Sequence, residues 1–504
     1  MRKAWFSIVL LAAAVSTAAP LGPLRPSGLI DAIKAGDATA IRTALRQRGA
    51  NVNEAEADGT TALHWAARSN DLDTVQSLLR SGASAKAANR YGVTPLSLAA
   101  TNGNAPMVEA LLKAGADAKN ANADGETALM TAARSGNADV VKALIAHGAN
   151  VNARENWQDQ TALMFAAEEN NAAAVKALVE AGADLNLKSK VWNFPEYKYQ
   201  TNGMAVFQLP RGGWTALMFA ARQNAADAAS MLADLKADMN AQDPDGTTAL
   251  QLAILNTHYD LATMLLYKGA DPNVGDNSGM TALYAAVDMR NPAGMMTRPN
   301  PKLTAEIDAG EMVNVLLKRG ANPNLQLKKP IIGRHNNLLG DTSLGDGATP
   351  LMRAAKGNDL VMMRALLEGG ADPNLTLADK TNAAMMTATL DGIKLMVEHG
   401  VDVNAFNANG ATLAHNAAGR GGTTIIRFLA ENGARLDKKD KQGRTPLDIA
   451  SGGGGGGGGR GARGGGAAGA GGARGGGGRG AAGGGGAGNE TADLLRELTA
   501  KNGQ

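Results

Sequence analysis

The 504-residue chain contains no cysteine. Disulfides, thiolate metal sites, haem attached through CxxCH and a lipid anchor on an N-terminal cysteine are therefore excluded, and packing alone must stabilise the fold. Aromatic residues are scarce, with five Trp, six Tyr and seven Phe, so any local cluster of them stands out. Neither charge dominates: Lys and Arg number 50 against 47 Asp and Glu. Six of those cations, Arg2, Lys3, Arg460, Arg463, Arg474 and Arg479, sit at the N-terminus or in one glycine tract. A pI near 8.9 thus advertises no nucleic-acid surface on the folded part. Long apolar runs are missing too. The longest, Ala4 to Val15, falls short of the ~18 residues a membrane span needs. It follows Arg2 and Lys3 and precedes Ser16-Thr17-Ala18, the pattern of a secretory signal peptide cut after Ala18, with 19–27 as a short segment before the folded part. The expectation is an exported protein. The Ala/Gly/Arg-rich composition suggests a GC-rich bacterium, and so a periplasmic or secreted location.

What the sequence has in quantity is a repeat. A glycine following an apolar helical stripe recurs at Gly49, Gly82, Gly115 and Gly148, a step of 33, and again at Gly182, Gly269, Gly320, Gly370, Gly400, Gly433 and Gly503, with Lys236 in the same slot of one unit. Thr-x-Leu keeps the same phase at Thr61, Thr94, Thr127, Thr161, Thr215, Thr248, Thr281, Thr349 and Thr445. The threonine reads as a helix N-cap, followed in three units by a proline (Pro95, Pro350, Pro446) at the first helical position, where a missing N–H costs nothing. Leu63, Ala66 and Ala67 give the first helix a narrow apolar face, and Val75, Leu78 and Leu79 give the second its own stripe. The glycine closes that helix in a left-handed conformation, and Asp-Gly turns such as Asp58-Gly59 supply a protruding hairpin. One unit cannot bury both helices, so the units must stack.

With "TALHWAA" (61–67) and "TPLSLAA" (94–100) the chain resembles the ankyrin-repeat family over residues 28–504, about twelve units. The resemblance implies an all-α solenoid of stacked helix-turn-helix repeats with hairpin-like turns. It also implies a recognition scaffold. Where the family usually carries a histidine that ties adjacent turns together, His64 and His415 keep it, whereas Met130, Met164, Met218 and Met352 replace it and must rely on apolar packing.

Spacings above 33 locate insertions near 187–208, 289–307 and 327–344. Residues 452–488 contain only Gly, Ala and Arg and read as a disordered loop inside the last unit, whose second helix is "ETADLLRELTAKNG". The first and third of these insertions share the hairpin edge about 30 Å apart and are expected to flank a groove.

No catalytic motif is present, and the six histidines lack ligand spacing, so no enzyme activity, metal or cofactor is expected. The Arg-Gly pieces of the glycine tract lack interleaved aromatics for stacking bases, which favours a flexible linker over an RNA-binding segment. The candidate protein-binding residues are Trp192, Phe194, Tyr197, Tyr199 and Phe207 in the first insertion, with Trp157, Phe165, Trp214 and Phe219 from adjoining repeats, since aromatics anchor interfaces. Their alternative role is to pack the insertion onto the solenoid. A mildly basic group, Arg290, Arg298, Lys302, Lys328, Lys329 and Arg334, is solvated surface or meets an acidic partner. The expected function is that of a monomeric exported scaffold binding another protein through its hairpin edge and concave face. The competing readings are a secreted effector that binds host proteins, and a receptor or enzyme with a pocket built from the insertions.

Overall fold

A computed structural model describes residues 28–47, 50–192, 199–201, 204–206, 211–290, 306–331, 344–452 and 486–502. Among them 24 helices follow one another as twelve pairs, each an inner helix such as Ala62–Arg68 and an outer helix such as Leu72–Arg80. Inner helices start where the threonine turns its side chain onto the chain: Thr94 Oγ1 accepts from Ser97 N at 3.1 Å, and Thr127 Oγ1 from Met130 N at 3.3 Å. Outer helices start on short polar caps, as when Asn104 Oδ1 accepts from Met107 N at 2.9 Å. They end at glycines whose φ lies between +82° and +106°, from Gly82 to Gly433. Lys236, in the same slot, adopts φ +71° and bears a strain of about 1–2 kcal/mol that glycine would not.

The stacking surface is made of small side chains. Ala66, Ala67, Ala99, Ala100, Ala132 and Ala133 are wholly buried between successive inner helices, and Val75, Leu78, Leu111 and Leu144 between outer ones, in one continuous core. Alanine faces let the inner helices approach closely.

Polar side chains cross every few layers. The asparagine four residues after the helix-ending glycine bridges to the next unit. Asn53 Nδ2 donates to Gly82 O at 3.1 Å while its Oδ1 accepts from Ser84 N at 2.7 Å. Asn152, Asn273, Asn324, Asn374 and Asn404 repeat this double bond. The turns, or fingers, are also joined tip to tip by backbone, Arg90 N to Asp58 O and Lys441 N to Asn409 O at 2.8 Å each. Gly92 shows how tight this is: a Cβ there would lie 2.8 Å from Asn122 Cα.

Besides the insertion near 327–344, most of which lies outside the described residues, three units carry interruptions. In the first, strands β1 (Val191–Trp192), β2 (Tyr199–Thr201), β3 (Met204–Val206) and β4 (Arg211–Gly212) form two antiparallel two-stranded ladders, β1 with β4 and β2 with β3. In the second, the inner helix Ala282–Arg290 and outer helix Ala309–Lys318 flank residues outside the described set. There Arg290 pairs with Asp359 at 2.8 Å and Asp308 at 3.6 Å, and the buried Arg353 pairs with Asp288 at 2.5 Å. In the third, the short helix Pro446–Ala450 packs on the helix Gly486–Asn502, whose Leu494 and Leu495 are buried in the common core. Most of the glycine tract, 453–485, lies outside the described residues.

Candidate functional site

The finger before the helix Ala162–Glu168 is built around one carboxylate. Glu155, itself buried, accepts backbone N–H groups from Trp157 at 2.5 Å, Gln158 at 2.7 Å and Gln160 at 2.9 Å. This turn holds Trp157 out into solvent with 67% of its surface exposed. Its ring meets that of Trp192 at a centroid distance of 5.6 Å and an angle of 49°, and the Lys190 ammonium sits 4.7 Å from the Trp192 ring centre. Trp192 is fixed by pairing opposite Arg211 in the β1–β4 ladder, and Lys190 N donates to Gln158 O at 2.7 Å, tying the insertion to the preceding finger. The two tryptophans form one platform on the finger edge.

The other candidate aromatics divide. Trp214 packs edge-on against Phe219 at 5.5 Å, points its Nε1–H to Asp243 at 3.4 Å, and is covered by the Arg222 guanidinium 5.0 Å away. Phe219 is 4% exposed and Phe165 8%, the latter under Arg134 at 4.3 Å. These three therefore serve packing first. Only the backbone of Tyr199 is described, in β2, and Phe194, Tyr197 and Phe207 lie outside the described residues, as do Arg298, Lys302 and Arg334 of the mildly basic group. Arg290 of that group pairs with Asp308 and Asp359.

On the inner-helix side a cleft of about 510 Å³ is lined by Val93, Ser97, Leu98, Thr131, Arg134 and Glu169, with Arg134 held by Glu126 at 2.8 Å. Among the described residues no group of three or more His, Asp or Glu converges as a metal site, and no helix is long and apolar enough to cross a membrane.

A family model described as "Ankyrin repeats (3 copies)" matches residues 29–122, 98–189, 198–276, 217–295, 303–407 and 382–455. The chain belongs to the ankyrin-repeat family. Cyclin-dependent kinase 4 inhibitor B of Rattus norvegicus is 36% identical over 113 residues, 21% of this chain and 85% of that protein. Alpha-latrocrustotoxin-Lt1a of Latrodectus tredecimguttatus is 31% identical over 106 residues, and diacylglycerol kinase zeta of Rattus norvegicus 32% over 121. The matches span only 8% and 13% of those two proteins, so the likeness lies in the repeats rather than in the whole molecules.

The ankyrin histidine slot behaves as the resemblance implies. His64 Nδ1 accepts from Thr61 N at 3.1 Å, which makes Nε2 the protonated nitrogen, and Nε2 donates to Val93 O of the next unit at 3.0 Å. His415 does the same with Thr412 and Arg444 O. Met130 offers only its sulfur to Thr127 N at 3.4 Å, with no bond to the next unit. One occupant was missed in the sequence: Gln251 accepts from Thr248 N at 2.8 Å and donates to Val274 O and Met280 O at 3.2 and 2.5 Å. Its position in "TALQLAI", three residues after the capping threonine, was the available signal. Tyr91 and Phe406, 51% and 47% exposed on other ankyrin fingers, were also missed. Each lies within one or two residues of a turn asparagine, Asn89 and Asn407, and finger position could have singled them out.

Proposed function

We propose that the chain is an exported ankyrin scaffold that binds another protein through its finger edge and concave face and performs no chemistry itself. The observation that carries this reading is the Trp157–Trp192 platform: a large aromatic surface held in solvent by a buried turn carboxylate serves no need of the core. The concave cleft beside Arg134 offers a second contact. Among the relatives, one that matches along most of its own length is named for inhibiting another protein. Export rests on the N-terminal pattern, Arg2 and Lys3 before the apolar run ending at Val15.

The test is partner capture from a cell-envelope extract by full-length protein and by the Trp157→Ala, Trp192→Ala double variant. The proposal expects the variant to lose a specific partner at least about tenfold while its unfolding midpoint holds, because Trp157 is solvent-facing and the half-buried Trp192 is no part of the core. Equal recovery by both proteins overturns the platform as the binding site. For export, the native protein's mass should begin near Ala19, and an intact Met1 overturns it.

A further inference from the structure

The last complete fingers carry a charge arrangement unlike the rest of the edge. Arg435, Lys438, Lys439, Lys441 and Arg444 crowd one finger with only Asp437 and Asp440. Both carboxylates are taken by the two arginines, Asp437 by Arg435 at 3.5 Å and Asp440 by Arg444 at 2.8 Å. Asp440 is buried, which works to raise its carboxyl, but the backbone N–H and guanidinium of Arg444 outweigh this and hold it below the ordinary carboxylate range, so it stays ionised on its partner. The neighbouring acids are also turned onto the chain's own donors: Asp448 accepts from Thr445 N at 2.8 Å and Asp379 from Thr381 N at 3.0 Å. Among the described residues Lys438, Lys439 and Lys441, and Lys380 on the finger two units earlier, form no direct ion pair, although Lys439 lies in the field of Asp448 and the Lys438 ammonium donates to Asn404 O at 3.3 Å.

These four lysines surround Phe406, which is 47% exposed on the finger between them. The Lys380 and Lys438 ammonium groups lie 5.7 and 4.9 Å from its ring centre. Backbone bonds from Ala408 N to Asp379 O at 2.6 Å and from Lys441 N to Asn409 O at 2.8 Å lock the backbones of the three fingers in register. Between the tips is a cleft of about 410 Å³ lined by Lys380, Phe406, Lys438, Lys439 and Lys441.

We propose that this cleft docks an acidic, extended segment of a partner protein, with carboxylates over the four ammonium groups and one apolar side chain against Phe406. Charge complementarity selects the segment: Lys380, Arg435, Lys438, Lys439, Lys441 and Arg444 outnumber Asp379, Asp437, Asp440 and Asp448, and a net positive edge attracts and steers an anion. A single-stranded nucleic acid fits less well, because the finger's two arginines, the better phosphate binders, are committed internally. The proposal rests on the fingers being a binding edge, but its residues are separate from Trp157 and Trp192.

Fluorescence anisotropy with the full-length protein tests it. The probes are a labelled peptide of about ten Glu and Asp residues around one central Leu, and a labelled oligothymidine of similar length. The peptide is expected to bind and to weaken at least about tenfold between about 50 and 200 mM salt. The Lys439→Glu, Lys441→Glu double variant should lose at least about tenfold in affinity and Phe406→Ala about threefold, with unchanged unfolding midpoints. Trp157→Ala should bind the peptide as the parent does. No peptide binding at low salt, equal binding by the charge-reversed variant, or tighter binding of the oligothymidine overturns the proposal. Any of these leaves the Trp157–Trp192 reading standing, since that is tested by other residues.

Discussion

The same helical position joins neighbouring repeats in two ways. At His64, Gln251 and His415 a polar side chain caps its own helix and reaches a carbonyl of the next unit, so each seam carries a directed bond. At Met130, Met164, Met218 and Met352 the seam is held by contact, with side chains no more than 1% exposed. The backbone around both kinds is alike: Thr61 and Thr127 adopt φ −95° and −99° with ψ near 165°. The difference shows that the inter-repeat bond is not what positions the layers. Stacked alanine and leucine faces do that, and the polar bond adds specificity where it occurs.

The sharpest way to break a methionine seam is to empty it. Met130→Ala should cost about 2–5 kcal/mol, because lost burial and a cavity in a close-packed layer add together, and chemical denaturation with an unchanged slope would check it. If the loss is under about 1 kcal/mol, the layers collapse readily and the seam is softer than its packing implies.

The next effect separates the two kinds of seam. Gln251→Leu keeps the volume but leaves the buried Thr248 N–H without its acceptor and the Val274 carbonyl without its side-chain donor, while Met280 O keeps the N–H of Asp276, and should cost about 1–3 kcal/mol. Met130→Leu, at the equivalent place, should stay under about 1.5 kcal/mol. Equal losses would mean that the glutamine acts through its bulk alone.

The smallest effect is a pH dependence peculiar to histidine seams. Burial pushes His64, His258 and His415 below the usual imidazole value near 6.5. For His64 and His415 geometry gives the same sign, since a proton on Nδ1 would face the N–H of Thr61 or Thr412. The unfolded chain therefore takes up protons first as pH falls. The stabilisation is complete above about pH 6.5 and is lost as pH drops toward the folded values. Melting followed from about pH 7.5 to about pH 5.5, the range in which histidine titrates, should show a decline that His64→Gln reduces. A decline of the same size in that variant would assign it elsewhere.

Much of the fold was legible because the repeat writes its signals locally. Capping threonines, helix-ending glycines and alanine faces each act within a few residues, and periodicity alone sets their phase. The histidine slot was legible at His64 and His415 because histidine is the residue the family usually carries there, while Gln251 escaped because a glutamine in that slot is not the usual residue, although all three reach a carbonyl 29 residues away. The candidate site was less accessible. Whether an aromatic packs or projects depends on what the neighbouring layer places against it: Phe165 and Phe219 follow capping threonines and become buried, whereas Trp157 projects because Glu155 closes its turn. Arg290 looked like free charge until chain segments 69 residues apart brought Asp359 to it. The lysines around Phe406 that form no ion pair were hidden among those charges, since the pairing of Asp437 and Asp440 with arginines is a matter of side-chain reach.

The asparagine bridges carry one more consequence. Asn53 reaches the glycine carbonyl 29 residues ahead at 3.1 Å, Asn374 one only 26 ahead at 3.0 Å, and Asn273 one 47 ahead at 2.9 Å. The molecule thus measures itself in layers rather than in residues. Contour length can be added or removed between two rungs without disturbing the step from one rung to the next. Such a chain is free to vary its loops as recognition elements while every neighbouring layer keeps its place, and new specificity can arise without a new fold.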